Sequence, residues 1–296
     1  MIQCYCPTKL KQRGGEANLA AFASRSERHD YAGPGRDMMH NRSTFMTTAI
    51  VAVLTTVGTT VACGAEPTKS PKKVFPYVRS QDGPGFAPLF DGETLKSWQA
   101  ADMSWWSVED GAITAKSTEE KPCRKNQYLF CQVGEMRDFE LKLAHRIISP
   151  HRVNCGFQYR SEHYKGDDCR GYQIDNNLPD MIRLYDEFGR HTLADRGQRT
   201  VFDENGRKTT TEIPEAKGEP WFDLTQWHEY HLICRGPKLT LLVNGRLVGE
   251  VIDNDPKNQD LSGLLALQLH SGPPMTVQFK DIRWNPLDPD EEVKLP

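Results

Sequence analysis

The stretch Phe139-Glu-Leu-Lys-Leu-Ala-His-Arg-Ile147 decides the fold class. Phe139, Leu141, Leu143 and Ile147 fall on one side of an extended chain; Glu140, Lys142 and Arg146 fall on the other. That is the period of two of a strand with one buried face, and no 3.6-residue helical period fits it. The same alternation recurs outward from this segment. Lys238–Val243 and Arg246–Val251 flank Asn244-Gly245, two residues that tolerate positive φ and so close a tight hairpin. Trp106–Val108 and Ala112–Ala115 flank Glu109-Asp110-Gly111, while Trp227–Cys234, Leu264–His270 and Val277–Trp284 read as further strands. No stretch of ten residues carries an amphipathic helical period. Many strands joined by Gly, Pro and Asn turns predict an all-β, two-sheet sandwich or jelly roll over residues 85–287, with a solvated tail over 288–296.

Composition agrees and excludes other classes. The 296 residues include 23 Gly and 19 Pro without a period, and 37 basic against 40 acidic side chains, net −3. There is no basic stripe of the kind a nucleic-acid partner requires, so none is expected.

The front of the chain reads as processing signal and not as fold. Residues 1–37 lack apolar periodicity and are expected to be an upstream extension, with translation starting at Met38 or Met39. Over 38–65, Arg42, the short apolar run Ala49–Val61 and Ala62-Cys63-Gly64-Ala65 form an export signal. Cys63 also resembles a lipid-acylation site, the one membrane attachment expected. Residues 66–84, with Lys69-Ser70-Pro71-Lys72-Lys73, read as a disordered tether. The expected location is therefore exported, periplasmic or extracellular. Of the eight cysteines, Cys123, Cys131, Cys155, Cys169 and Cys234 fall in the folded part. In an oxidising compartment Cys123 with Cys131 and Cys155 with Cys169 are candidate disulfides, and Cys234 a core thiol.

Four segments carry more polarity than a solvated sheet face needs. Asn154, Gln158 and Arg160 alternate with Phe157 and Tyr159; Gln173 and Asp175 alternate with Tyr172 and Ile174. Gln268 and His270 alternate with Leu265, Leu267 and Leu269, and Arg183-Leu-Tyr-Asp-Glu187 adds Tyr185, Asp186 and Glu187. Amides, guanidinium, carboxylates and imidazole on one face are the donors and acceptors that sugar hydroxyls need. Each alone is most simply a surface group; their recurrence predicts a carbohydrate site if the strands are neighbours. His145, His228 and His231 sit inside strand patterns as packing groups, whereas His270 ends its strand before Ser271-Gly272-Pro273-Pro274, at a sheet rim.

In order, Gly85-Phe-Ala-Pro-Leu-Phe-Asp-Gly92, Trp106-Ser-Val-Glu-Asp-Gly111, Asn154-Cys-Gly-Phe-Gln-Tyr-Arg160, Gly171-Tyr-Gln-Ile-Asp175, Leu184-Tyr-Asp-Glu187 with Arg190, and Leu267-Gln-Leu-His-Ser-Gly-Pro-Pro274 resemble the 3-keto-disaccharide hydrolase family. The resemblance implies a concanavalin A-like jelly roll acting on an oligosaccharide or glycoside oxidised at C3. Cys155 stands where relatives have Ser, and Ala144 where many have Glu. Such an enzyme eliminates the C1 aglycone after loss of the C2 proton and then hydrates the glucal. Asp175 or His270 is expected as base and Arg160 as enolate stabiliser, with Asp186 or Glu187 as acid or orienting a second sugar. Asn154, Gln158, Gln173, Tyr185, Arg190 and Gln268 are expected to hold substrate. A divalent metal is compatible with these residue types, though no ligand spacing identifies one. The rival readings are a non-catalytic carbohydrate-binding module, and a conventional glycosidase pairing Asp175 with Asp186 at about 5–9 Å.

Overall fold

The computed structural model describes residues 74–288 except Glu219. The expected upstream extension, export signal and Cys63 lie outside the described residues, as does the tail beyond Asp288. In chain order the strands are β1 (Ala87–Pro88), β2 (Trp98–Gln99), β3 (Trp106–Glu109), β4 (Ala112–Ser117), β5 (Gln127–Cys131) and β6 (Phe139–Ile148). They continue with β7 (Asn154–Tyr164), β8 (Asp168–Asn177), β9 (Met181–Glu187), β10 (His191–Asp195), β11 (Gln198–Phe202) and β12 (Lys208–Glu212). The last are β13 (His228–Arg235), β14 (Lys238–Val243), β15 (Arg246–Asp253), β16 (Leu264–Leu269) and β17 (Met275–Pro286).

These form the expected all-β sandwich, two sheets packed face to face. A ten-stranded sheet runs β12-β11-β15-β14-β13-β6-β17-β4-β3 with β1 beside β17, and a seven-stranded sheet runs β10-β9-β8-β7-β16-β5-β2. The period-two reading places the core: Phe139, Leu141, Leu143 and Ile147 of β6 pack with inward residues of the second sheet, among them Phe157, Tyr172, Ile174 and Leu267, in one continuous cluster. Asn244 and Gly245 hold φ of 51° and 73° between β14 and β15, the doubly positive turn that matches strand twist.

Two expectations are corrected. The five cysteines of the fold are free, buried thiols. Cys155 pairs in register with Asn176, whereas Cys169 pairs with His163; Cys155 belongs to the inner core and Cys169 to a separate cluster on the outer face, so no bridge joins them. Cys123 contacts Leu269 O, next to Gln127, while Cys131 ends β5 four residues on, about 13 Å along an extended strand. The second correction concerns residues 74–84, which are not a free tether. Phe75 N donates to Gln226 at 2.9 Å, Ser80 N to Glu229 at 2.9 Å, and Tyr77 Oη to Asp281 at 2.6 Å. Lys142 reaches Ser80 Oγ, and Arg283 pairs with Glu229 at 3.0 Å and with Asp82. Buried charges on the outer face of the ten-stranded sheet thus find their partners in this strap, as buried charges require.

Candidate active site

The polar face of the seven-stranded sheet is built by register. Across β7 and β8, Asn154 faces Asn177 and Gln158 faces Gln173; across β8 and β9, Gln173 faces Tyr185, Asp175 faces Arg183 and Gly171 faces Glu187. Because side chains two residues apart share a face, these groups point the same way, opposite the core. Asn154, Gln173, Asp175, Asn177, Arg183, Tyr185 and Glu187 line a cleft of about 240 Å³ together with His270 from the end of β16.

Asp175 is 4% exposed. Asn154 Nδ2 donates to its Oδ1 at 2.6 Å, Asn177 Nδ2 to its Oδ2 at 3.2 Å, and the Arg183 guanidinium stands 3.3 Å away. Burial raises its pKa above the ordinary range, against the pull of Arg183, Asn154 and the His270 imidazole. Glu187 has no such company. Burial, and then the charges of Asp168, Asp175 and Asp186, push its carboxyl up to about 7. It opposes Gly171, four residues before Asp175, so about 13 Å of strand separates the two positions. One carboxylate is stabilised by a cation and the other holds its proton near neutrality, the division of labour of an acid–base pair. Between them Tyr185 Oη lies 2.9 Å from His191 Nδ1, and burial followed by the Glu187 and Asp175 charges keeps the phenol protonated. His270 Nδ1 is 2.6 Å from the Ser271 carbonyl. A carbonyl only accepts, so Nδ1 carries hydrogen and Nε2 remains for substrate.

Asn154, Gln173, Asp175, Tyr185, Glu187 and His270 therefore meet in one cleft. Gln158 and Gln268 share the face but lie beneath a covering hairpin. Three expected residues are elsewhere. Arg160 sits at a bulge between β7 and β8 with φ 47°, which rotates its side chain off the face that alternation assigns it. Its guanidinium is sealed, donating to the carbonyls of Arg137 and Gly236 at 2.7 Å and to Asp138 at 2.9 Å; a group so engaged inside the protein does not meet substrate. Asp186 points inward with Leu184, and Arg190 joins it at 3.1 Å to Asp253 in a buried network. Both hold the two sheets together.

Arg183, Asn177 and His191 were missed. Strict parity over Arg183–Glu187 separates Arg183, Tyr185 and Glu187 from Asp186 and would have found the first; His191 joins only through the β9–β10 turn. His145 and His228 are core groups, His145 being pushed down to about 4 by burial. Among the described residues no three His, Cys, Asp or Glu side chains converge as metal ligands.

Comparison with known proteins finds that the 3-keto-alpha-glucoside-1,2-lyase-like domain matches residues 85–285. Among solved structures, a putative glycosyl hydrolase from Parabacteroides distasonis is 18% identical with TM-score 0.47, over 69% of this chain and 94% of that one. The carbohydrate-binding module CBM66 from Bacillus subtilis is 14% identical with TM-score 0.43, over 64% and 95%. The β-glucanase of Bacillus licheniformis is 11% identical with TM-score 0.42, over 68% and 96%. No curated protein matches the chain.

Proposed function

The chain belongs to the family of 3-keto-alpha-glucoside-1,2-lyase-like domains, and from that premise we propose that it cleaves 3-keto-glycosides by elimination and then hydrates the product. Support comes from one observation above the rest: a cation-held carboxylate, Asp175, and a proton-holding carboxyl, Glu187, open into the same sugar-sized cleft.

In a pyranoside oxidised at C3, the carbonyl acidifies C2–H. Asp175 takes that proton, and the C–H electron pair becomes the enolate of C2, C3 and O3. Arg183, beside Asp175, faces the developing oxyanion; a fixed cation at such a charge is typically worth about 3 kcal/mol. When the enolate collapses, C3=O re-forms, C1=C2 forms and the C1–O bond breaks. Glu187 delivers its proton to the departing oxygen. Water then adds its oxygen to C1 and a proton to C2, so that the net reaction is hydrolysis. Asn154, Gln173, Tyr185 and the free Nε2 of His270 hold ring hydroxyls.

The paired-carboxylate glycosidase loses its stated pair, because Asp186 faces the interior. Export, read from residues 38–65, belongs to the same proposal and places the enzyme where glycans are degraded. The test is incubation with methyl 3-keto-glucosides and their unoxidised parents. Aglycone release and a transient enone absorbance from the keto substrates alone are expected. Equal release from the unoxidised glycosides would overturn the mechanism, and release from neither would leave a binding module.

A further inference from the structure

Beside the cleft, the same sheet face carries a row of amides whose hydrogen bonding the protein leaves unfinished. Gln173 of β8 stands opposite Gln158 of β7; on β16 the residue opposite Gln158 is Ala266, so Gln268 lies two residues along that strand, with Tyr128 as its register partner on β5. The row crosses four strands, about 14 Å at the usual strand spacing, and every member is buried. Gln158 Oε1 accepts from Ser161 Oγ at 3.1 Å, and Gln268 Nε2 donates to Tyr128 Oη at 3.1 Å. These bonds fix both amides and leave Gln158 Nε2 and Gln268 Oε1 without partners, as is Gln173 Nε2. Buried polar atoms are ordinarily paired. Two free donors on adjacent strands, with a free acceptor on the next, fit a group that accepts and donates at once, and a hydroxylated ring presents several such groups.

An arm covers the Gln158 and Gln268 end of the row, whereas Gln173 borders the cleft. Residues 161–170, the outer end of the β7–β8 hairpin, bend away from their sheet where Arg160, Gly171 and Gly263 hold φ of 47°, 125° and 155°. A Cβ on Gly263 would lie 2.4 Å from the Arg160 backbone, so the bend requires that glycine. Past it, the arm crosses β16 to reach β5. Cys169 packs with Tyr128, Phe130 and Ala266, the His163 ring lies 4.0 Å from that of Phe130, and Lys125 pairs with Asp167 at 2.8 Å. The ion pair is exposed on both sides, and such pairs hold weakly. On the far side a hollow of about 310 Å³ opens among Gln99, Gln132, Phe130 and Asp167.

We propose that the amide row beneath this arm is the subsite for a sugar ring on the leaving group, and that the arm lifts to admit the ring and closes over it. The inference rests on the proposed function for which bond is cut, but not for where the second ring binds. The test uses the full chain with glucose, trehalose, maltose and cellobiose as ligands, reading affinity by calorimetry and arm opening by hydrogen exchange. At least one disaccharide is expected to bind tenfold or more tightly than glucose and to slow exchange in residues 161–170, which glucose leaves unchanged. Gln158→Leu with Gln268→Leu should bring the affinity ratio near one. Lys125→Gln with Asp167→Asn, both on the surface, should raise exchange of the free arm at least threefold and speed disaccharide dissociation. Disaccharides no tighter than glucose, or arm exchange indifferent to them, would overturn the subsite. Methyl 3-keto-glucoside cleavage is scored separately: cleavage without disaccharide preference removes the subsite alone, and disaccharide preference without cleavage removes the elimination alone.

Discussion

Replacing Glu187 by Gln tests the acid directly, because the same substitution moves stability and activity in opposite directions. The folded protein holds the Glu187 proton up to about 7 against an ordinary 4.5. Between those values the folded state binds more proton than the unfolded chain, so stability falls as pH rises from 4.5 through 7 and stays low above. At about 1.4 kcal/mol per pH unit the penalty is at most about 3 kcal/mol; solvent contact at the cleft screens it to on the order of 1–2 kcal/mol. Gln keeps the shape and removes the titration. Glu187→Gln is therefore expected to melt higher than the parent by roughly 3–6 °C at pH 8, with the gap closing toward pH 4. Cleavage of 3-keto-glucosides should fall about 100-fold or more, and the decline of kcat above pH 7 should flatten. Nitrophenyl aglycones, which leave without protonation, should lose much less than methyl aglycones. An unaltered alkaline limb together with no gain in melting temperature at pH 8 would refute the assignment of both the proton and its role.

Arg183→Ala should lower kcat by about 100-fold, in line with loss of one electrostatic donor at a developing oxyanion, with Arg183→Lys recovering part of it; steady-state kinetics reads both. Arg160→Met should act on folding instead: breaking a buried pair costs about 3–5 kcal/mol, so urea unfolding should shift strongly while KM of the remaining folded protein holds. Arg283→Leu, which leaves Glu229 and Asp82 without their shared cation, should destabilise by about 3 kcal/mol and speed proteolysis of the strap at 75–82. Because burial raises the Cys123, Cys131, Cys155, Cys169 and Cys234 thiols, Cys234 up to about 12, none of the five should react with a thiol reagent at pH 8 until the protein is unfolded.

Alternation made most of the sandwich legible, since a strand with one buried face must repeat every second residue and Asn244-Gly245 has few other uses. It also put Asn154, Gln173, Asp175, Tyr185, Glu187 and His270 on candidate faces; what it lacked was adjacency, which hydrogen-bonded register alone supplies. The failures have local causes. Unbroken parity assigns Arg160 to the polar face, and a single bulged residue reverses it. Proximity in the chain groups Asp186 and Arg190 with Glu187, although one step along a strand exchanges cleft for core. The strap at 75–82 has the composition of a tether, and nothing local reveals that Glu229, Lys142 and Arg283 are waiting beneath it with buried charges.

Those interior charges bear on the chemistry. Arg160 satisfies Asp138, Arg190 satisfies Asp186 and Asp253, Arg283 satisfies Glu229 and Asp82, and Arg183 attends Asp175. In each of these pairs the cation is a guanidinium, the one least able to release its proton. Glu187 has no such ion pair, and the charges of Asp168, Asp175 and Asp186 add to the burial that raises it. Burial sets the larger part of its tuning and the neighbouring carboxylates the rest: withdrawing Arg183 removes the positive charge beside Asp175 and leaves that carboxylate's field on Glu187 less countered, so the acid would hold its proton more tightly. Arg183→Ala should for that reason raise the apparent pKa of the alkaline limb while it lowers kcat. An Arg183 that only gripped substrate would change KM and leave the limb where it stands.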